Sequence, residues 1–273
     1  MLGKLIKYDF RSCWKRFWPI WLAILGTTLL SLPMMRAAVS LEGGLLRFLA
    51  GLPFLALFVL FNMVIIISLV YVCRQFSTGL LGDPGYLMFT LPVKPWQLIA
   101  SKAITALILE LLCILVAVIS GCVFLFLLTG EEVLSFFREM HRVLHAYKAP
   151  GMLWVIIAET VLLGLAFFLT FDLRIYASVS LGHLARKNRT FFSVLAFILI
   201  GVALNAVRSF IMHIASNSDW SIHISSSDSW EEFFGMFNYI ALVLGIVLLV
   251  KLLVGALYFL ISHFILKRHL NLE

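Results

Sequence analysis

Apolar residues in this chain come in long continuous runs, not in alternation. Six of these runs approach or exceed the roughly 20 residues that a helix needs to cross the hydrocarbon of a bilayer. They lie near residues 18–36, 48–73, 103–129, 150–176, 190–212 and 237–266. The pattern predicts an all-α membrane protein with six transmembrane helices, in one membrane domain over 1–273. The second, third and sixth runs are long enough to tilt or to extend past the membrane. The dyad alternation of an outer-membrane barrel is missing.

Outside the runs the pattern changes twice to an amphipathic one. In residues 1–17, Leu2, Leu5, Ile6, Phe10, Cys13, Trp14 and Phe17 recur at helical spacing among Lys4, Lys7, Arg11, Lys15 and Arg16. This reads as a helix lying in the plane of an anionic inner leaflet, rather than as a signal peptide. In residues 130–149, Val133, Phe136, Phe137, Met140, Val143, Leu144 and Tyr147 form a stripe opposite Glu132, Ser135, Glu139, Arg142 and His145. A helix at the outer interface is expected there. His141 and His145 have metal-site spacing, but Arg-Val-Leu stands between them in place of a catalytic acid, so they read as a solvated face.

Composition sharpens the class. The chain is 62% hydrophobic and 13% charged, with a mean hydropathy of +1.05, which excludes a soluble domain. The net charge of +7 reads as cytoplasmic Lys and Arg, not as nucleic-acid binding. One side collects the N-terminus, Arg74, Lys94, Lys102, Arg186, Lys187, Arg189, Lys267 and Arg268. The other receives Arg36, Arg47, Arg138, Arg142, Lys148 and Arg208 together with most acids. Both termini are therefore expected in the cytoplasm of a multi-pass cell-membrane protein. Cys13, Cys73, Cys113 and Cys122 show no CxxC spacing and read as small core hydrophobes.

Few polar groups fall inside the runs. Glu110 lies eight residues after Lys102, about 12 Å deeper, and Glu159 about 13 Å into the fourth run. With Asn62 they are candidates for a translocation path, or for binding a cationic substrate. The alternative is structural: carboxyls hydrogen-bonded between helices, and Asn62 bridging two helices. Asp172 and Arg174 are expected to pair locally near the inner boundary, and Lys251 is the chief embedded cation. Pro33 and Pro53 are expected to kink their spans. No catalytic or metal-ligating constellation is expected, and no phosphate-binding G-x-x-x-x-G-K-[ST] is present.

The remaining stretch, Arg74 to Lys102, is broken by Asp83-Pro84-Gly85, Leu91-Pro92 and Lys94-Pro95, yet it stays apolar. Gly82, Asp83, Gly85, Tyr86, Leu87, Phe89, Thr90, Leu91, Pro92, Val93, Gln97, Leu98, Ser101 and Lys102 together resemble the segment between the second and third helices of ABC-2 type permeases. These are membrane subunits of bacterial ATP-driven exporters, in particular a low-GC Gram-positive group. A shorter resemblance lies in 177–189, after Tyr176, with Gly182 ahead of a basic cluster.

The resemblance implies an ABC-2 fold of the type V exporter kind. It implies that 74–102 is a cytoplasmic coupling element, in which Asp83, Gly85, Tyr86, Leu87, Phe89, Leu91, Pro92, Gln97 and Lys102 engage an ATPase. The inner loop at Gly182 would touch the same partner, and the stretch before the last helix would be an outer re-entrant segment or a plain loop. It also implies a homodimer served by a separate ATPase that holds ATP and magnesium, with no cofactor in this chain. The cargo would be an antimicrobial peptide, a drug or another amphipathic substrate. A non-transporting sensor or accessory subunit would share these membrane features. An intramembrane enzyme would need a paired motif at one depth, whereas His213 and His263 lie toward opposite ends.

Overall fold

The computed structural model describes residues 2–40, 44–80, 94–129, 131–146, 150–185, 187–217 and 230–268. Among these residues there are seven helices and no strand: α1 (Leu2–Ser40), α2 (Gly44–Leu80), α3 (Pro95–Thr129), α4 (Glu131–Ala146), α5 (Pro150–Gly182), α6 (Arg189–Asn217) and α7 (Trp230–Arg268). Five stretches are long and apolar enough to cross a membrane: Gly51–Leu80, Pro95–Phe126, Trp154–Gly182, Arg189–Phe210 and Tyr239–Lys267. The protein is a helical multi-pass membrane protein. Its apolar surface faces outward to an extent no soluble fold tolerates; the most apolar window of Arg189–Phe210 buries 0% of its residues.

The first expected run, 18–36, is not among the five. It lies within α1, which is unbroken from Leu2 to Ser40 despite Pro19 and Pro33. The amphipathic stretch 1–17 is therefore the opening of this longer helix. Of the expected stripe, Cys13 and Phe17 turn to protein neighbours, while Trp14 is exposed. Asp9, Cys13, Phe17, Trp21, Ile24, Thr28 and Ser31 are all buried, at spacings of three and four. That period keeps one face of a helix turned to its neighbours.

The chain divides into two compact units, Met1–Val72 with Ala100–Pro150 and Cys73–Ile99 with Gly151–Glu273. In the first, Asp9 of α1 faces Lys102 of α3, and Thr28 faces Ser120. The two helices therefore run parallel in constant register, about 28 Å between the two contacts at 1.5 Å per residue. Helix α2 runs the other way. Its Tyr71 meets Phe17 edge-on at 5.6 Å and shares a buried cluster with Cys13, Trp21 and Leu109. Farther along, Phe54 meets Phe124 of α3 at 5.8 Å.

The second unit repeats this plan. Helix α6 is antiparallel to α5: Arg174 reaches Phe197, and Gly182 abuts Ser193. Helices α5 and α7 are parallel, with Glu159 beside Gly245 and Thr170 beside Gly255, and Phe167 beside Lys251. Phe76, near the end of α2, stacks on the fully buried Tyr176 at 4.3 Å.

Candidate functional site

The expected coupling residues Asp83, Gly85, Tyr86, Leu87, Phe89, Leu91 and Pro92 lie outside the described residues. Their flanks are described, and both belong to long helices. Helix α2 continues to Leu80, and α3 starts at Pro95, eight residues earlier than the apolar run does. Pro95 opens a helix instead of barring one. At the first helical position its missing N–H costs nothing and its fixed φ is already helical. Lys94 is the cap: the Gln97 N–H donates to its carbonyl at 2.9 Å, and its own N–H donates to Gln97 Oε1 at 3.2 Å. The Gln97 side chain thus serves its own helix start.

Lys102 turns into the first unit. It is 4% exposed, and its Nζ donates to Asp9 Oδ1 at 2.6 Å. Asp9 was not singled out in the sequence. The available signal was an acid in a basic stretch, four residues before Cys13 on the stripe that later proves buried. Burial pushes the nearby Cys13 thiol up to about 11, partly offset by its hydrogen bond with Tyr71. All four cysteines are free thiols.

Gly182 and its loop differ from expectation. Tyr176 to Gly182 form the last two turns of α5 and are largely buried. A Cβ at Gly182 would fall on the backbone of Ser193, so glycine is what lets α5 and α6 approach at this end. The connection proper is short. The N–H groups of Leu184 and Ala185 donate to Leu181 and Gly182 at 3.2 Å, and Phe192 donates to the Asn188 carbonyl. Asn188 holds φ at 57°, a left-handed conformation that asparagine tolerates better than most residues.

Of the intramembrane candidates, Asn62 and Glu110 fall in the first unit and Glu159 in the second. Asn62 is exposed, and its Nδ2 donates to the Phe58 carbonyl of its own helix at 2.8 Å. The expected bond between helices is not made; one turn of α2 satisfies the amide. Glu110 and Glu159 are both partly buried.

Helices α5, α6 and α7 place the remaining polar groups at successive depths. Glu159 lies over Gly245, where a Cβ would meet its Oε1 at 3.4 Å. Six residues farther along α7, about 9 Å lower, the Lys251 ammonium sits 5.1 Å from the Phe167 ring centre. Farther along α5, the Arg174 guanidinium lies 4.0 Å from the Phe197 ring centre and donates to the Phe197 carbonyl at 2.7 Å. Gly201 gives the guanidinium its room, since a Cβ there would meet Nη2. Arg174 therefore anchors α5 to α6 through Phe197, where the sequence led us to expect a short-range pair with Asp172. Asp172 itself is fully buried.

Magnitudes separate the two cations. Arg174 has a carbonyl acceptor and a ring, and it lies eight residues from the end of its helix. Lys251 has a ring contact worth about 0.5–2 kcal/mol, against roughly 2.5–3.5 kcal/mol for a cation at the centre of a membrane helix. The ring alone leaves that cost only partly offset. Phe167 and Phe197 were not named from the sequence, because contacts across helices depend on register. Among the described residues, no three His, Cys, Asp or Glu side chains gather as metal ligands. Comparison with family models, with curated proteins and with solved structures returns no match.

Proposed function

We propose that this chain is the membrane-spanning permease subunit of an ATP-driven exporter of the ABC-2 type, working as a homodimer on amphipathic substrates. One observation carries the reading. The stretch that resembles the coupling element of such permeases, Gly82 to Lys102, begins after the end of α2 and runs into the first two turns of α3, and both helices are of membrane length. Apolar groups such as Tyr86, Leu87 and Phe89 call for a covering partner if they face water. A separate ATPase, holding ATP and magnesium, is that partner. Its closure on nucleotide would pull on the end of α2 and the start of α3. The buried Lys102–Asp9 pair would pass that displacement to α1.

The sixth span belongs to the same proposal. Helix α1 keeps step with membrane-length α3 from Asp9–Lys102 to Thr28–Ser120. A helix in that register beside a spanning helix crosses the same thickness, so residues 18–36 complete a six-span topology with both termini cytoplasmic, in line with the Lys and Arg distribution.

The test is co-purification of the full chain with any soluble Walker-type ATPase encoded beside it, followed by ATP hydrolysis in lipid nanodiscs. Tyr86→Ala with Phe89→Ala should release or uncouple the ATPase and leave the melting temperature of the permease unchanged. Retention of both binding and substrate-stimulated hydrolysis in that double variant would remove these residues from the coupling role.

A further inference from the structure

We propose that the α5–α7 seam at Lys251 and Phe167 is a binding site for an amphiphile carrying a single carboxylate. The inference goes beyond transport, since it needs no ATPase and no turnover.

Three observations carry it. The first is depth. Within the span Tyr239–Lys267, Lys251 is 12 residues from one end and 16 from the other, so roughly 18 Å and 24 Å by helical rise. With about 30 Å of hydrocarbon centred on that span, the Lys251 Cα lies about 12 Å from the nearer boundary, farther than the roughly 6 Å a lysine side chain extends. The second is the lack of an acidic partner. Among the described residues, the ion pairs are Lys102 with Asp9 and Arg142 with Glu139, and the contact made by Lys251 is the Phe167 ring. Along α5, Asp172 and Glu159 lie five and eight residues from Phe167, about 7.5 Å and 12 Å by helical rise. The third is access. Lys251 is only partly buried, Phe167 is 52% exposed, and Val247, one turn from Lys251 on α7, is also exposed.

Together these features define the ligand. The ammonium calls for an anion, and a carboxylate would supply the charge partner that a ring quadrupole cannot. The exposed Phe167 and Val247 call for an apolar body around that anion. Glu159 above the site disfavours a second negative charge, so a singly charged acid fits better than a phosphomonoester. Such a molecule can approach the site from the lipid phase.

The test uses the full chain in lipid nanodiscs, with spin-labelled stearate, its methyl ester and spin-labelled phosphatidylglycerol as probes, at about pH 9, where a carboxyl is ionised. Electron paramagnetic resonance reads the motionally restricted fraction of each probe. Stearate should associate at least about fivefold more strongly than the ester. Lys251→Met should bring stearate down to the level of the ester, Lys251→Arg should restore it, and Phe167→Leu should weaken it by about twofold. Equal retention of stearate and ester by the unaltered protein overturns the proposal, and so does unchanged stearate binding in Lys251→Met. Preference for phosphatidylglycerol over stearate also overturns it, by pointing to an ordinary lipid headgroup. Loss of the dimer in Lys251→Met does the same, by assigning the ammonium to a second copy. If Lys251→Met does not fold, the stearate-to-ester ratio of the unaltered protein and the Phe167→Leu result decide the matter.

Discussion

Asp9 and Lys102 meet at 2.6 Å at one end of the α1–α3 seam, both nearly closed to solvent. The pair should behave as a buried one. Lys102→Met strands the carboxylate and should cost about 3–5 kcal/mol, whereas Lys102→Met combined with Asp9→Leu should recover most of that loss. Thermal unfolding of the three proteins in detergent checks this. A double variant as unstable as the single one would show that the charges contribute little to the seam.

The same seam shields a thiol. Cys13 is 1% exposed, and burial raises its pKa from 9.0 to about 11. The reactive thiolate is then about a hundredfold scarcer at neutral pH than for a thiol at the usual value. N-ethylmaleimide followed by mass spectrometry should leave Cys13 unmodified in the folded protein, and Lys102→Met should render it reactive. Rapid labelling of Cys13 in the unaltered protein would mean that α1 leaves the seam often.

Two glycines of the second unit should respond unequally to alanine. At Gly182 the new methyl meets the backbone of Ser193, which cannot step aside. Gly182→Ala should cost about 1–3 kcal/mol through forced separation of α5 and α6. At Gly201 it meets the far end of the Arg174 side chain, which can turn away. Gly201→Ala should therefore cost clearly less. Melting temperatures rank the two, and the reverse order would refute this account of the α5–α6 contact.

His183 gives a pH dependence. Its pKa is lowered from 6.5, first by burial and then by the charge of Arg189. The folded protein thus prefers the neutral imidazole, while the unfolded chain takes up its proton at the ordinary value. The contribution to stability is complete above 6.5 and declines as the pH falls through 6.5. The melting temperature should drop on acidification by less in His183→Asn than in the unaltered protein. An identical drop in both would assign the effect to other groups.

Hydropathy made the later five spans readable, because continuous runs of that length have few alternatives. Local ambiguities were not settled by pattern. Pro95 fits both a helix break and a first helical position, and only the Gln97 cap decides between them. The stretch 177–189 reads as a loop because the apolar run ends at Tyr176 and the motif resembles an inner loop, yet its small side chains also suit a close helix contact. Asp9 was hidden among lysines, since its meaning depends on a partner 93 positions away. The Lys251–Phe167 contact required the parallel register of α5 and α7, which no single run encodes.

The α1–α3 register also sets an order of events during synthesis. The apolar contact of Phe17 with Tyr71 can form once α2 has emerged, but Asp9 waits 93 residues for Lys102, about 5–19 s at bacterial elongation rates of roughly 5–20 residues per second. Thr28 waits 92 residues for Ser120. For that interval the newborn hairpin carries a ready greasy face beside an unanswered polar one. The first unit therefore completes its polar contacts only when its third helix arrives, and a ribosome stalled before Lys102 leaves a two-helix product with an unneutralised acid for the quality-control machinery to recognise.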